Sequence, residues 1–285
     1  MNLKIINYNH PNGICGNLLN AIECLANRKK NELIYFKFNN LLYSNKFNVW
    51  EKFFYQPFNE YEDLILKKIK TNNYTNETFA HYNYKNYIFN YNFKNNLNTY
   101  YDKKAVDPLR KIVKKFIKFK SIVLLKAEEF ENKYFQTQNL GIHIRGTDKF
   151  SSKGHDKFKN KRNLLSFQNH IKLIVKQKMK ISKSKKIFLA TDEKNYYIKM
   201  KYFFSKNLLK MNSKILSPKQ DTGTHFINVY GSESWKTQLG TEALTDAILL
   251  SKCKYSLLSQ SNLSLASILL RDDYNFEFID AHIQR

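Results

Sequence analysis

The clearest strand pattern in the C-terminal half is LGIHIRGTDK, residues 140–149. Its first half is an apolar run with His143 between two isoleucines, which predicts a short buried strand over residues 140–144. The run stops at Arg145, and a glycine, a hydroxyl, a carboxylate and an ammonium group follow it. We therefore expect a strand that carries a polar tip.

Helices and strands alternate along the chain after this first strand. Such alternation predicts an α/β domain with a parallel, doubly wound sheet, in which ligands bind beyond the carboxyl ends of the strands. The residues just after each strand are therefore the candidate ligand contacts. The predicted helices are 164–179, 193–206, 235–251 and 262–270, and the predicted strands are 186–190, 214–216, 255–258 and 275–279.

The N-terminal half opens with a similar pattern. Residues 3–8 predict a strand, and a turn-rich loop follows. Asn17 is placed to cap a helix that leads to a second strand over residues 33–38. This β-loop-α-β opening indicates a second α/β domain.

The region between these two halves is less regular. We expect helices near residues 58–70 and one long basic helix to about Tyr134, with Pro108 in its first turn. A chain of 285 residues has room for two domains. We predict that they are residues 1–136 and 137–285.

Arg145 at the first strand tip has two interpretations. A guanidinium fork makes two parallel charge-assisted hydrogen bonds, which suits a diphosphate. Because 6 of the 48 basic residues are arginines, composition alone does not account for this one. The alternative is an ion pair with Asp148 that closes a turn. His143 is expected to face the same side as Arg145, either as a ligand contact or as a hydrogen-bonded core residue.

Two further strand ends carry polar residues. Thr191 and Asp192 follow the strand 186–190, where they either cap the next helix or accept hydrogen bonds from a base or ribose. The run SQSN, residues 259–262, follows the strand 255–258 and opens a helix whose N–H groups suit a phosphate. Capping explains one or two of these four residues.

Familiar phosphate and metal motifs are missing from the sequence. It has no Asp-x-Asp segment, no Walker loop and no GxGxxG. We therefore expect no metal and no resident cofactor, so that side chains and helix ends neutralise any bound diphosphate.

The net charge of +24 attracts anions such as nucleic acid, acidic membrane and phosphorylated substrates. An A/T-rich genome offers another explanation, because Lys, Asn, Ile, Tyr and Phe all have A/T-rich codons. The lysines are also spread along the chain, whereas a nucleic-acid face would concentrate them. We predict no nucleic-acid partner and leave open a peripheral contact with an anionic membrane surface.

The cysteines favour a cytoplasmic location. Cys15, Cys24 and Cys253 form no CxxC pair and no Cys/His cluster with zinc spacing, so we expect reduced thiols. The N-terminus does not resemble a signal peptide, and no apolar run approaches the roughly 18 residues that span a bilayer.

Three segments together resemble the α1,2/α1,6/protein-O-fucosyltransferase superfamily. HIRGTDK, residues 143–149, is similar to its His-x-Arg-Arg-x-Asp motif in the form of the α1,6 branch. ATDE, residues 190–193, is similar to that branch's Ala-Thr-Asp-Asp segment. Residues 246–261 resemble its final segment, and the loop at residues 13–17 loosely resembles its Gly-Gly-x-Gly-Asn-Gln start.

The resemblance implies a GT-B-like fold with two Rossmann-like domains facing across a cleft. It implies an inverting, metal-independent transfer of fucose from GDP-fucose to a hydroxyl of a glycan or glycolipid acceptor. Arg145 would bind the β-phosphate and stabilise the leaving GDP, and Asp148 would position Arg145 or the sugar. The other implied donor contacts are His143, Thr191, Asp192, Asp246, Ser259, Gln260 and Ser261.

The chain departs from the family pattern at two places. Gly146 stands where the family often has a second arginine. The stretch 150–156 lacks the glutamate thought to act as the base in the α1,6 branch, and His155 or Asp156 is our candidate for that role. His10 is the next candidate.

Two other functions are compatible with the sequence. One is the same fold with a different nucleotide sugar. The other is a basic protein that binds nucleic acid or an anionic surface without catalysis.

Overall fold

The structure is a computed structural model that describes residues 1–9, 13–44, 46–78, 103–145, 161–211, 231–259 and 261–279. These residues form two compact units. Unit 1 comprises the described residues within Met1–Asn95, Thr99–Leu125 and Val229–Leu244, and unit 2 comprises those within Lys126–Asn228 and Thr245–Arg285. The predicted domain boundary between residues 136 and 137 stays a prediction. The two units differ from the predicted domains in two ranges: residues 126–136 belong to unit 2, and residues 229–244 belong to unit 1.

Unit 1 contains a parallel three-stranded sheet. Its elements are β1 (Asn2–Tyr8), α1 (Ile14–Ala26), β2 (Glu32–Phe38), α2 (Val49–Phe53), a 3-10 turn (Asn59–Tyr61), α3 (Glu62–Lys70), β3 (Thr75–Thr78) and α4 (Lys103–Phe116). The strand order is β2-β1-β3. The predicted strands β1 and β2 and the predicted helix near 58–70 are confirmed. β3 was not predicted because its four residues, TNET, are polar, and its strand geometry comes from pairing with β1.

Helix α1 begins three residues before Asn17, so the prediction that Asn17 caps it is wrong. The carbonyl of Gly13 accepts hydrogen bonds from the N–H groups of Gly16 at 2.8 Å and Asn17 at 3.1 Å. Every residue from Ile14 to Leu25 is buried. Packing on all sides of the helix therefore sets its start, and a side-chain cap does not.

The predicted long helix from Pro108 to Tyr134 is two helices. α4 ends at Phe116, and α5 (Ser121–Tyr134) begins after a four-residue link. In this link, Phe119 pairs with Phe54 in an antiparallel bridge, and the N–H of Lys120 donates to the carbonyl of Phe53 at 2.9 Å. These backbone groups are engaged with a neighbouring segment, so the helix cannot continue. Pro108 lies inside α4, as its sixth residue.

Unit 2 contains a parallel five-stranded sheet. Its strands are β4 (Asn139–Ile144), β5 (Lys186–Thr191), β6 (Leu208–Leu209), β7 (Tyr255–Leu258) and β8 (Phe276–Phe278). The helices of this unit are α6 (Lys161–Ser182), α7 (Lys194–Phe204) and α9 (Asn262–Leu270), together with the last residues of α8 (Glu233–Lys252), whose residues 233–244 belong to unit 1. The strand order is β6-β5-β4-β7-β8. The predicted parallel, doubly wound α/β arrangement is confirmed for this sheet. The predicted strand at 214–216 lies outside the described residues.

In the core of unit 2, the two faces of β4 pack against different helices. Leu140, Ile142 and Ile144 alternate on one face of the sheet and pack in a cluster with residues of α6 and α7. Burying each of them contributes roughly 1.5–3 kcal/mol. Alternation places His143 on the opposite face, where α9 packs. None of the described helices combines the length and apolar character needed to cross a bilayer.

Candidate functional site

The polar residues predicted at three strand ends lie along one edge of the unit 2 sheet. All five strands are parallel, and the register pairs Ile144 with Thr191 and His143 with Leu258. The chain runs from β4 outward to β5 and β6, and then returns to β7 and β8 on the other side. The strand order therefore changes direction between β4 and β7, which is where such sheets bind ligands.

Arg145 and Ser259 join the tips of β4 and β7. The backbone N–H of Arg145 donates to Oγ of Ser259 at 3.3 Å, and the N–H of Ser259 donates to the carbonyl of His143 at 2.9 Å. Ser259 is buried and Arg145 is half-buried. The backbone from which the Arg145 side chain projects is thus fixed at the point where the sheet changes direction.

His143 is a buried residue that connects β4 to the start of α9. Its Nδ1 lies 2.8 Å from Oγ of Ser264. The Ser264 hydroxyl donates its one proton to the carbonyl of Ser259 at 2.5 Å, so the His143 ring donates from Nδ1. His143 is thus a hydrogen-bonded core residue that supports the loop after β7, and its predicted contact with the donor stays a prediction.

Ser261 caps helix α9. Its Oγ accepts a hydrogen bond from the N–H of Ser264 at 3.2 Å, and Asn262 is the first helical residue. The capping interpretation is therefore confirmed for Ser261. The N–H groups of Asn262 and Leu263 belong to the first turn, which provides them with no acceptor inside the helix, and they give this end of α9 a positive potential.

At the tip of β5, neither Thr191 nor Asp192 caps the following helix. Oγ1 of Thr191 accepts a hydrogen bond from the N–H of Glu193 at 3.3 Å, and Glu193 occupies the cap position of α7. Asp192 and Glu193 are both half-buried. Burial raises the pKa of the Glu193 carboxyl, and the charge of Asp192 raises that pKa further.

Asp246 lies inside α8 and is half-buried, well before the strand β7. It is therefore a helix residue rather than a strand-tip residue. Its predicted contact with the donor stays a prediction.

Several predicted site residues lie outside the described part of the chain. These are Asp148, His155, Asp156 and Gln260, together with His10 and Gly146. The identity of the base and the role of Asp148 therefore stay predictions.

Arg271 was not singled out in the sequence, but it is buried in unit 2. Its guanidinium donates to the carbonyls of Leu250 at 3.0 Å and Cys253 at 2.8 Å, to Oγ of Ser256 at 2.9 Å and to the carboxylate of Asp273 at 2.8 Å. These contacts join α8, β7 and the segment after α9. Arg271 is therefore a structural residue, and an arginine that follows a helix gave no signal of this role.

Two buried asparagines in α1 are further polar features that the sequence analysis did not interpret. The carboxamides of Asn17 and Asn20 are fully buried and have no hydrogen-bond partner among the described residues. A buried polar group without a partner costs about 1–3 kcal/mol. No group of three or more His, Cys, Asp or Glu side chains within the described ranges is arranged to hold a metal ion.

The fold of the chain is similar to that of solved fucosyltransferases. The crystal structure of NodZ alpha-1,6-fucosyltransferase soaked with GDP-fucose superposes with a TM-score of 0.58 at 13% identity, covering 94% of this chain and 92% of that one. Fucosyltransferase NodZ from Bradyrhizobium gives a TM-score of 0.53 at 12% identity, covering 95% and 94%. NodZ co-crystallised with GDP gives 0.51 at 13% identity, covering 95% and 93%.

The likeness is one of structure and not of overall sequence. No protein-family model matches the chain, and no curated protein matches it by sequence. At these identities the superposition establishes a shared fold across nearly the whole length of both chains. The mixed α/β architecture with parallel sheets is therefore that of the fucosyltransferases with which it superposes.

Proposed function

We propose that this protein is a glycosyltransferase that transfers fucose from GDP-fucose to a hydroxyl of a glycan or glycolipid. The observation that carries the proposal is the link between Arg145 and Ser259 at the point where the unit 2 sheet changes direction. The shared fold supports it, because one of the superposed proteins was soaked with GDP-fucose and another was crystallised with GDP. The proposal includes a GT-B arrangement, with the donor at unit 2 and the acceptor held by unit 1.

The donor diphosphate would lie between Arg145 and the first turn of α9. A guanidinium binds two phosphate oxygens at once, and a helix N-terminus adds N–H donors and a positive potential. Both lie along the edge formed by β4 and β7. Asp192, at the tip of β5, would accept hydrogen bonds from the guanosine base or ribose.

In the reaction, the acceptor hydroxyl attacks the anomeric carbon of fucose. The new C–O bond forms as the bond from that carbon to the β-phosphate oxygen breaks, and GDP leaves. A single displacement of this kind inverts the configuration. The proton of the hydroxyl passes to a base, for which His155 and Asp156 are the proposed residues.

Arg145 would stabilise the charge that grows on GDP as the bond breaks. The attraction between a fixed cation and the leaving oxygen is stronger in the transition state than in the ground state, because the oxygen gains negative charge. Only such differential interactions raise the rate of the chemical step. In this proposal Arg145 and the end of α9 replace a metal ion. The reaction should therefore run in the presence of a chelator.

A donor screen tests this function. The protein is incubated in excess EDTA with GDP-fucose, GDP-mannose, UDP-glucose or UDP-galactose, and release of the nucleoside diphosphate is measured. We expect release from GDP-fucose to be the fastest. Faster release from a UDP sugar would support the same fold with a different donor, and no release from any donor, with or without Mg²⁺, would contradict the proposal.

A further inference from the structure

A strongly basic segment of unit 1 takes no part in the proposed donor site. Residues 108–125 contain six Lys or Arg side chains and no Asp or Glu, whereas Asp107 precedes them and Glu128 and Glu129 follow closely. The whole chain has 48 basic and 24 acidic residues, so a segment with six basic residues would on average hold three acidic ones. The excess of positive charge is therefore confined to this short segment.

Helix α4 presents the lysines of this segment on one side. Val106, Arg110 and Val113 are buried at helical spacing and hold the helix against unit 1. Lys111 and Lys115 lie on the opposite side and are exposed. Because the buried residues fix the orientation of the helix, the lysines point away from the core of the unit.

The link after α4 carries two lysines next to an exposed aromatic residue. The N–H of Tyr55 donates to the carbonyl of Lys118 at 2.9 Å, and Nζ of Lys120 lies 5.6 Å from the centre of the Tyr55 ring. Lys118 is exposed, and the Tyr55 side chain is 45% exposed. Tyr55 therefore lies among the lysines at the end of α4.

Exposed aliphatic side chains follow in the first turn of α5. Ile122 is 45% exposed and Leu125 is 64% exposed, whereas Val123 between them is buried. Single exposed apolar residues are common, but Ile122 and Leu125 lie within one helical turn of each other and follow Lys118 by four and seven residues along the chain. We call the set Tyr55, Lys111, Lys115, Lys118, Ile122 and Leu125 the lysine–leucine surface.

We propose that the lysine–leucine surface docks unit 1 onto an anionic phospholipid membrane. Lysines are attracted to an anionic leaflet, aliphatic side chains enter the boundary between headgroups and acyl chains, and tyrosine favours the headgroup level. Nucleic acid would satisfy the lysines but would leave Ile122 and Leu125 in water. The combination of charge and apolar area therefore favours a membrane as the partner.

Vesicle flotation tests the electrostatic part of this proposal. We expect the protein to float with phosphatidylcholine vesicles that contain about 30 mol% phosphatidylglycerol, and not with pure phosphatidylcholine. The triple variant Lys111→Gln, Lys115→Gln, Lys118→Gln should bind on the order of a hundredfold more weakly, since each lysine contributes about fivefold. The matched control is Lys176→Gln, Lys180→Gln, Lys185→Gln, which removes the same charge from exposed positions in unit 2.

The control triple should bind within a few-fold of the wild type. Equal losses in the two triple variants would overturn the proposal, because binding would then follow net charge and not a defined surface. Failure of the wild type to float with anionic vesicles would overturn it as well. Circular dichroism and melting temperatures confirm that the variants fold, which is expected because the changed side chains are exposed.

The apolar part is tested by the double variant Ile122→Ser, Leu125→Ser. Its charge is unchanged, so a loss of at least about tenfold in vesicle binding would show that these side chains enter the membrane. A single-stranded oligonucleotide is the competing probe. If the lysine triple weakens oligonucleotide binding while the serine variant leaves vesicle binding unchanged, the surface binds polyanions and the membrane proposal is wrong.

Discussion

Arg145 stands where the sheet of unit 2 changes direction, and Ser259 holds its backbone there. The sequence predicted a strand tip at this residue, and the structure has one. The two interpretations of the side chain, a diphosphate contact or a turn-closing ion pair with Asp148, differ in what they require of its shape. A diphosphate contact needs the planar fork, whereas an exposed ion pair accepts any cation.

The variant Arg145→Lys should therefore fold normally and lose activity. Removing one preorganised donor to a developing negative charge costs other enzymes on the order of a hundred- to a thousandfold in rate, and we expect a loss of that size in GDP release from GDP-fucose. If Arg145 only forms the ion pair with Asp148, the substitution should cost about 1 kcal/mol or less in stability and leave the rate of GDP release unchanged.

Arg28→Lys is the matched control for this experiment. Arg28 donates to backbone carbonyls in unit 1 and lies 5.2 Å from the centre of the Phe58 ring, so it makes structural contacts. The control should change stability and leave turnover per folded molecule as in the wild type. Full activity in Arg145→Lys would contradict leaving-group stabilisation by this residue.

Glu193 gives a prediction about pH. Burial and the neighbouring Asp192 raise the pKa of its carboxyl in the folded protein. A raised pKa means that folding favours the protonated form, so the contribution to stability is present in acid and is lost as the pH rises through the raised pKa. Glu193→Gln keeps the side chain neutral and should raise the melting temperature at pH 7 relative to the wild type.

The same comparison at pH 4 or below provides the control. There the wild-type carboxyl is itself protonated, so the two proteins should melt at nearly the same temperature. Differential scanning fluorimetry across this range measures both values. An equal difference between variant and wild type at both pH values would mean that the charge of Glu193 is not the cause.

At the scale of elements, Arg271 determines how α8 meets β7. Its guanidinium binds two carbonyls near the end of α8 and the hydroxyl of Ser256 in β7. Arg271→Leu removes this donor from all three groups, although the Leu250 carbonyl still accepts from Oγ of Ser256 at 3.0 Å and from the N–H of Cys253 at 3.3 Å. Each buried group that loses its donor costs about 1–3 kcal/mol, so with the Cys253 carbonyl and the Ser256 hydroxyl affected the free energy of unfolding should fall by at least about 2 kcal/mol.

Urea denaturation measures this loss. Lys254→Met is a suitable control because Lys254 is an exposed residue of the same segment, and its change should stay within about 0.5 kcal/mol of the wild type. A loss below about 1 kcal/mol in Arg271→Leu would show that the four contacts are not needed to hold these elements together.

The elements that the sequence predicted best have their boundaries encoded locally. β7 and α9 have the predicted bounds, 255–258 and 262–270, because an apolar run is followed by Ser261, which caps the next helix. The elements that were missed depend on distant partners. β3 pairs with β1, and the break between α4 and α5 depends on the pairing of Phe119 with Phe54, which no pattern within either segment reveals.

The residues of the candidate site also fall into two groups, those that a local pattern placed and those that depend on distant partners. Strand periodicity was enough to place Arg145, Asp192 and Ser259 at one sheet edge. The sequence could not decide between a ligand contact and a core role for His143, because its partner Ser264 lies 121 residues away. The sequence also could not show where the positive charge is concentrated. The lysines of α4 form one exposed side because Val106, Arg110 and Val113 are buried and fix the orientation of the helix.

For the whole molecule, the central claim is that the chain binds GDP without a metal ion. The most direct measurement is the melting temperature with GDP, UDP or ADP in excess EDTA. A ligand that binds only the native state stabilises it by ~2.7 kcal/mol at a hundred times its dissociation constant, which amounts to a shift of several degrees. We predict this shift with GDP and a much smaller one with UDP and ADP. Equal shifts with all three nucleotides, or no shift with GDP, would contradict the account.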